Sequence, residues 1–223
     1  MNDDLERDGF VLISELRPQS TTMEAASALG KVLDIRSLLP KTRIPTVQTL
    51  RPRDASSVAD NQYSDIHGLG AFPLHTDLAH WTIPPRYFVL RCINPAEDVC
   101  TLALPWAAVT PALGSIDMRK AVFGARKKRA GCSGLVRAMS RQAGQDIRRW
   151  DSMFLKPLNQ QARDLDQLLR DAKWVRSATR IPLRRPGDMI LVDNWRILHG
   201  RDPVPPDSKR RLLERAYFSE LNI

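Results

Sequence analysis

Apolar residues along most of this chain fall in short runs bounded by Gly, Pro and polar turns, a pattern that predicts many short strands rather than long helices. Residues 9–13, 46–51, 86–93, 174–183, 189–195 and 212–218 read as strands. Met189-Ile190-Leu191-Val192, after the turn at Gly187-Asp188, has the continuous hydrophobicity of a buried one. Weaker patterning predicts further short strands over 121–126, 135–139 and 147–151. Helical spacing appears over 20–33, where Met23, Ala26, Leu29 and Val32 form one face and Thr21 with Glu24 has capping-box spacing. It appears again over 158–169, with Leu158, Ala162, Leu165, Leu168 and Leu169 on one side, and helical turns are expected within 106–120. Residues 52–72 are polar with scattered Gly and read as a loop. This order of elements suits a mainly β fold with flanking helices, a jelly roll or another sandwich.

The 223 residues, 43% of them hydrophobic, are enough for one full core, and no shift in composition divides them; a single domain over 1–223 is expected. Cys92, Cys100 and Cys132 are too few and too widely spaced for a disulfide framework or a Cys-x-x-Cys zinc site. The acidic opening Met1-Asn2-Asp3-Asp4 is not a signal peptide, and no apolar run approaches the ~20 residues that span a bilayer. A cytoplasmic protein without a membrane partner is the expectation.

Four histidines carry the strongest chemical signal: His67, His75, His80 and His199. In an extended strand, alternate side chains share a face, so His75 and Asp77 would present an imidazole and a carboxylate to one point. A strand folding back with His199 would complete a two-histidine, one-carboxylate site of the type that leaves positions open on Fe(II). Taken alone, His-x-Asp reads better as a chance pattern, and a lone His in an apolar strand as a core residue. Downstream, Arg211, Leu213, Arg215 and Tyr217 share one strand face, and Arg210, Leu212, Glu214 and Ala216 the other. Two inward arginines are costly without anions. A dicarboxylate such as 2-oxoglutarate would supply the pairing, since a guanidinium fork binds carboxylates bidentately. The alternative is a solvated basic edge strand.

The segments from Gly68 through His75-Thr76-Asp77 to His80-Trp81, then Pro84-Pro85-Arg86-Tyr87, and from Gly187-Asp188 through Asp193-Asn194-Trp195-Arg196 to His199-Gly200-Arg201, resemble the taurine dioxygenase/clavaminate synthase-like family of Fe(II)- and 2-oxoglutarate-dependent oxygenases. The resemblance runs from Asp8-Gly9-Phe10 to the C-terminus and is least specific over 111–180. It implies a double-stranded β-helix, or jelly roll, with the metal at one open end. It implies His75, Asp77 and His199 as the metal and catalytic triad. It assigns Arg211 to the far carboxylate of 2-oxoglutarate, Thr101 to the same carboxylate, and Arg215 to the inner carboxylate or the substrate. Thr101 lacks the glycines that usually precede it in the family. The cofactors implied are Fe(II), 2-oxoglutarate and dioxygen. The implied reaction is oxidation, by default hydroxylation, of an unactivated C–H bond, with release of succinate and carbon dioxide. Asp77 argues against halogenation, which needs that position vacant for halide.

A small polar substrate, anionic or zwitterionic, is expected from the inward arginines. Loops 56–72, 80–85 and 130–153 are expected to shape its pocket, with Tyr63, His67, His80 and Arg215 as candidate contacts; Trp81 reads as packing on Pro84-Pro85. Asp193 is read either as an acceptor for a ligand histidine or as the partner of a nearby arginine. The net charge of +9 comes from scattered clusters: Lys127-Lys128-Arg129, Arg148-Arg149, Arg184-Arg185 and Lys209-Arg210-Arg211. That field suits an anionic small molecule, an acidic carrier protein, a nucleotide or nucleic acid, or no specific partner. Nucleic-acid demethylation by the same iron chemistry is disfavoured, because aromatics are 6% of the chain and form no stacking run. A non-catalytic jelly-roll binding protein is the other alternative, and an intact triad speaks against it. The sequence leaves the oligomeric state open.

Overall fold

Burial on both faces marks the central strands. The computed structural model describes residues 1–39, 42, 44–54, 66–127, 132 and 134–222. In β15 (Leu212–Leu221), Leu213 and Tyr217 face one apolar cluster while Ala216 and Phe218 face another. The same division holds for β5 (Tyr87–Asn94), with Phe88, Leu90 and Cys92 on one side and Val89 on the other, and for β13 (Met189–Asp193). Each fully buried Phe, Leu, Ile or Val contributes about 1.5–3 kcal/mol.

These strands form a six-stranded antiparallel sheet in the order β1 (Phe10–Ile13), β13, β5, β15, β2 (Gly30–Val32), with β3 (Val47–Leu50) also paired to β15. The facing sheet has the order β12 (Thr179–Ile181), β6 (Thr101–Pro105), β14 (Ile197–Arg201), β4 (Phe72–His75). The cluster containing Phe88, Leu90, Cys92, Ala103, Ile197, Leu213 and Tyr217 lies between them. This is the jelly roll expected from the sequence. Helices α1 (Asn2–Asp8) and α2 (Thr22–Ser27) cover the outer face of the larger sheet through Leu5, Ala25 and Ala26. On the outer side of the smaller sheet lie α3 (Trp106–Val109) and α4 (Gln160–Leu169). With them come α5 (Ala172–Ser177) and the strands β7 (Val122–Ala125), β8 (Leu135–Arg137), β9 (Met139–Gln142), β10 (Gln145–Arg148) and β11 (Leu155–Pro157).

Two elements differ from the sequence reading. The helix expected over 20–33 has its capping box between Thr21 and Glu24 but ends at Ser27, and Gly30–Val32 joins the sheet instead. At Gly30 a Cβ would meet the Glu220 carbonyl oxygen at 2.2 Å, so the strand pairing, which only glycine permits, overrides helical spacing. The strand expected over 174–183 is a helical turn, capped by the Asp171 side chain on the Lys173 amide, followed by the short β12. No strand was predicted for β6, and the β9–β10 hairpin was predicted only at its outer ends, by the strands expected over 135–139 and 147–151.

Candidate active site

β4 and β14 bring the two histidines together: His199 is the ladder partner of His75, and their ring centroids are 4.3 Å apart. The Nδ1 of His75 meets the Pro73 carbonyl at 2.9 Å, which puts a proton on Nδ1 and turns Nε2 toward Asp77. Phe88 packs against the His199 ring at 4.8 Å. Asp77 arrives differently from the expected strand geometry. β4 ends at His75, and Asp77 sits in a turn before Leu78, whose φ is +53°. A side chain replaces the missing ladder there. Asn194 Oδ1 accepts from the Asp77 amide at 2.9 Å, and its Nδ2 donates to the Asp77 carbonyl at 3.0 Å and the Pro85 carbonyl at 2.9 Å. Asn194 is wholly buried in the turn between β13 and β14, so it ties the segment bearing Asp77 to the one bearing His199.

One Asp77 oxygen, Oδ1, lies 3.6 Å from His75 Nε2; the other, Oδ2, lies 3.9 Å from His199 Nε2. One ligand atom from each of the three residues falls within 4.8 Å of the others. Burial alone would lift the Asp77 carboxyl, but Arg215 and the two imidazoles hold it well below the usual carboxylate range. Burial, reinforced by the charge of His75, pushes His199 down to about 3, so its imidazole is neutral. Burial also acts to lower His75, but the neighbouring Asp77 outweighs it and raises that residue. Two imidazole nitrogens from adjacent strands and one carboxylate oxygen from the turn after β4 fit a ferrous ion with open positions.

Arg211 supplies an independent test. Its side chain is buried, whereas that of Arg210, in the turn that leads into β15, is exposed. Burial pushes Arg211 down to about 10, and its Nη2 has no hydrogen-bond partner among the described residues. A buried guanidinium left in that state calls for an anion. Thr101 is buried at the start of β6 opposite Arg201, and the charges of Arg201 and Arg211 lie close enough to lower Arg201 further. Arg201 itself is committed to loop 68–72: it donates to the Gly68 and Gly70 carbonyls and lies 3.9 Å over the Phe72 ring.

Other expectations fare variously. Arg215 does not wait for an external anion: its Nη1 donates to Asp77 Oδ2 and its Nη2 to Gln48 Oε1 at 2.6 Å. The carboxylate that its inward position was expected to require is thus already supplied by Asp77. Asp193 takes the second of its two readings and pairs with Arg86 at 3.0 Å. His67 is half-buried beside Phe72, near His75 and Arg201. His80 is buried against Phe154 at 5.3 Å, and Trp81 is buried in the inter-sheet core. Tyr63 lies outside the described residues. A groove of about 960 Å³ lined by Trp81, Pro85, Arg86, Tyr87 and Trp195 opens elsewhere, and none of the three clustered ligands lines it.

Three residues escaped the sequence reading: Asn194, Tyr217 and Gln48. Tyr217 is fully buried and donates its hydroxyl to Asp77 Oδ2 at 3.1 Å. Gln48, on β3, leans toward Tyr217, but its Nε2 makes no well-formed hydrogen bond. The parity that places Arg211 inward also places Tyr217 inward, so that signal was present; nothing local marks Gln48.

Jelly roll, buried His-Asp-His cluster and orphaned arginine together define a mononuclear non-haem iron oxygenase. The sequence matches the taurine catabolism dioxygenase TauD, TfdA family over residues 1–99 and 142–217, and the chain belongs to that family. It is an Fe(II)- and 2-oxoglutarate-dependent dioxygenase. Its fold is similar to that of asparagine oxygenase AsnO, with a TM-score of 0.70 and 18% identity over 97% of this chain and 75% of that one. It is also similar to PvcB from Pseudomonas aeruginosa (TM-score 0.65, 16% identity, 98% and 78% covered). A third similar structure is the non-haem iron oxygenase OrfP with Fe, succinate and (3R,4R)-dihydroxy-L-Arg (0.63, 18%, 96% and 77%). No described helix is long and apolar enough to cross a membrane.

Proposed function

We propose that this chain, acting as one catalytic domain, hydroxylates an unactivated C–H bond of a small zwitterionic molecule of the amino-acid class. Fe(II) with 2-oxoglutarate and dioxygen supplies the oxidising chemistry and releases succinate and carbon dioxide. His75, Asp77 and His199 hold the ion through two Nε2 atoms and one carboxylate oxygen. Arg211 binds the far carboxylate of 2-oxoglutarate, with Thr101 beside it. The observation that carries this reading is the buried Arg211 guanidinium, which among the described residues has no carboxylate partner and leaves Nη2 without a hydrogen bond. The half-buried His67 borders the substrate. Gln48 presents a buried amide donor with no full partner, suited to a carbonyl or carboxylate oxygen of a polar substrate.

The substrate class draws support from similar folds: one is asparagine oxygenase with 3-hydroxyasparagine and succinate, another OrfP with a dihydroxylated arginine. The test is a screen of amino acids and related zwitterions for substrate-triggered succinate release, with Fe(II), ascorbate and 2-oxoglutarate. A zwitterion that stimulates succinate in the wild type and not in His199→Ala supports the reading. Stimulation only by neutral apolar compounds or by nucleic acid refutes the substrate class.

A further inference from the structure

Asp77 Oδ2 is fully engaged by the protein. Arg215 Nη1 and the Tyr217 hydroxyl both donate to it, and a carboxylate oxygen has two lone pairs to offer. Oδ1 faces His75 Nε2 and carries no such donor pair. Tyr217 has 0% exposure, so its hydroxyl has no water to fall back on, and leaving it unpaired would cost about 1–3 kcal/mol. Its ring meets Phe88 edge-on at 6.2 Å, and Phe88 in turn packs on His199. The phenol is therefore held rigidly by the same core that positions two of the three ligands.

We infer that Tyr217 is a positioning residue that sets the denticity of the metal carboxylate. With Arg215, it occupies Oδ2 and confines Asp77 to binding the ion through Oδ1 alone. A carboxylate free to rotate would chelate through both oxygens and take a coordination position that cosubstrate or dioxygen needs. The division of labour is clear in the geometry: Asn194 fixes the backbone of Asp77, Arg215 supplies charge, and Tyr217 supplies direction. This inference rests on the proposed metal site.

The test uses Mn(II) as a redox-silent probe under nitrogen, on wild type and Tyr217→Phe. Difference infrared spectroscopy on Mn(II) addition reads the separation of the antisymmetric and symmetric carboxylate stretches, which narrows when a carboxylate chelates. Calorimetry gives Mn(II) affinity. The wild type is expected to show the wide separation of a monodentate carboxylate. Tyr217→Phe is expected to narrow it and to weaken Mn(II) binding about tenfold, the range seen when partners of metal ligands are removed. A purely structural role would lower the unfolding temperature and leave both readouts unmoved. Unchanged stretches and affinity in a folded Tyr217→Phe overturn the inference and spare the metal site. A chelate pattern in the wild type overturns it without recourse to any variant. A wild type that binds no Mn(II) overturns the metal site itself, and this inference with it.

Discussion

Replacing Arg211 with Met is expected to move stability and cosubstrate affinity in opposite directions. The guanidinium is 6% exposed, and burial pushes it down from the ordinary arginine value to about 10. That corresponds to about 3 kcal/mol against its charged form. Among the described residues no carboxylate pairs with it to offset this cost. Met retains much of the volume without the charge, so the ligand-free variant should be more stable than wild type by about 1–3 kcal/mol, as when buried ions give way to apolar residues of similar size. The same change removes the charge-assisted contact to the far carboxylate, about 1.5–3 kcal/mol, or one to two decades in 2-oxoglutarate affinity. The two effects cross. At 2-oxoglutarate a hundredfold above the wild-type Kd, the wild type gains about 2.7 kcal/mol from binding. A variant bound roughly thirtyfold more weakly gains only about 0.9 kcal/mol at that concentration. Thermal unfolding of the Mn(II)-loaded proteins, with and without 2-oxoglutarate, measures both. Arg210→Ala is the control, because that side chain is exposed and should change neither. A ligand-free Arg211→Met that loses more than about 1 kcal/mol while binding 2-oxoglutarate as the wild type does would refute the reasoning.

His75→Ala, Asp77→Ala and His199→Ala should each abolish succinate formation. Circular dichroism and unfolding should show that Asp77→Ala is the least stable of the three, by about 3 kcal/mol, because it leaves the half-buried Arg215 and the fully buried Tyr217 hydroxyl without their shared acceptor. Arg215→Leu should weaken Mn(II) binding, measured by calorimetry, by removing the cation that keeps Asp77 ionised; an effect confined to 2-oxoglutarate would return that arginine to the cosubstrate. Asn194→Ala removes three buried hydrogen bonds around the Asp77 turn and should cost about 2–4 kcal/mol in denaturant unfolding, together with metal affinity; loss of neither would disprove its bridging role.

What the sequence made legible, and what it did not, divides by the range of the interactions involved. The strands buried on both faces, such as β13 and β5, announced themselves through continuous apolar runs, because their environment is apolar on every side. The burial of Arg211 and the exposure of Arg210 match the alternation read along 211–217, although both residues precede β15, whose ladder with β5 carries a register shift at Leu212/Leu213. The capping box at Thr21 and Glu24 was legible because its partners are three residues apart. The length of that helix was not, since the limit comes from Gly30 meeting the Glu220 backbone at the far end of the chain.

Asp77 shows why side chains can converge as expected although the local geometry expected for them is incorrect. The alternation argument put His75 and Asp77 on one face of a strand, yet the strand stops at His75 and Asp77 occupies a turn. The two side chains still converge, because Asn194, 117 residues away, pairs with both backbone groups of Asp77 as a neighbouring strand would. No local propensity encodes that contact. The turn also changes what the arginines mean. Had Asp77 continued an extended strand, parity alone would have placed its carboxylate, and Arg215 would need an outside anion. Instead the turn brings Oδ2 under Arg215 and Tyr217, so Arg215 pairs with Asp77, and Arg211 is the inward arginine that has no carboxylate partner among the described residues. The cost of the unpaired charge thus falls on the residue that ligand binding relieves, while the charge beside the metal is neutralised from within the fold.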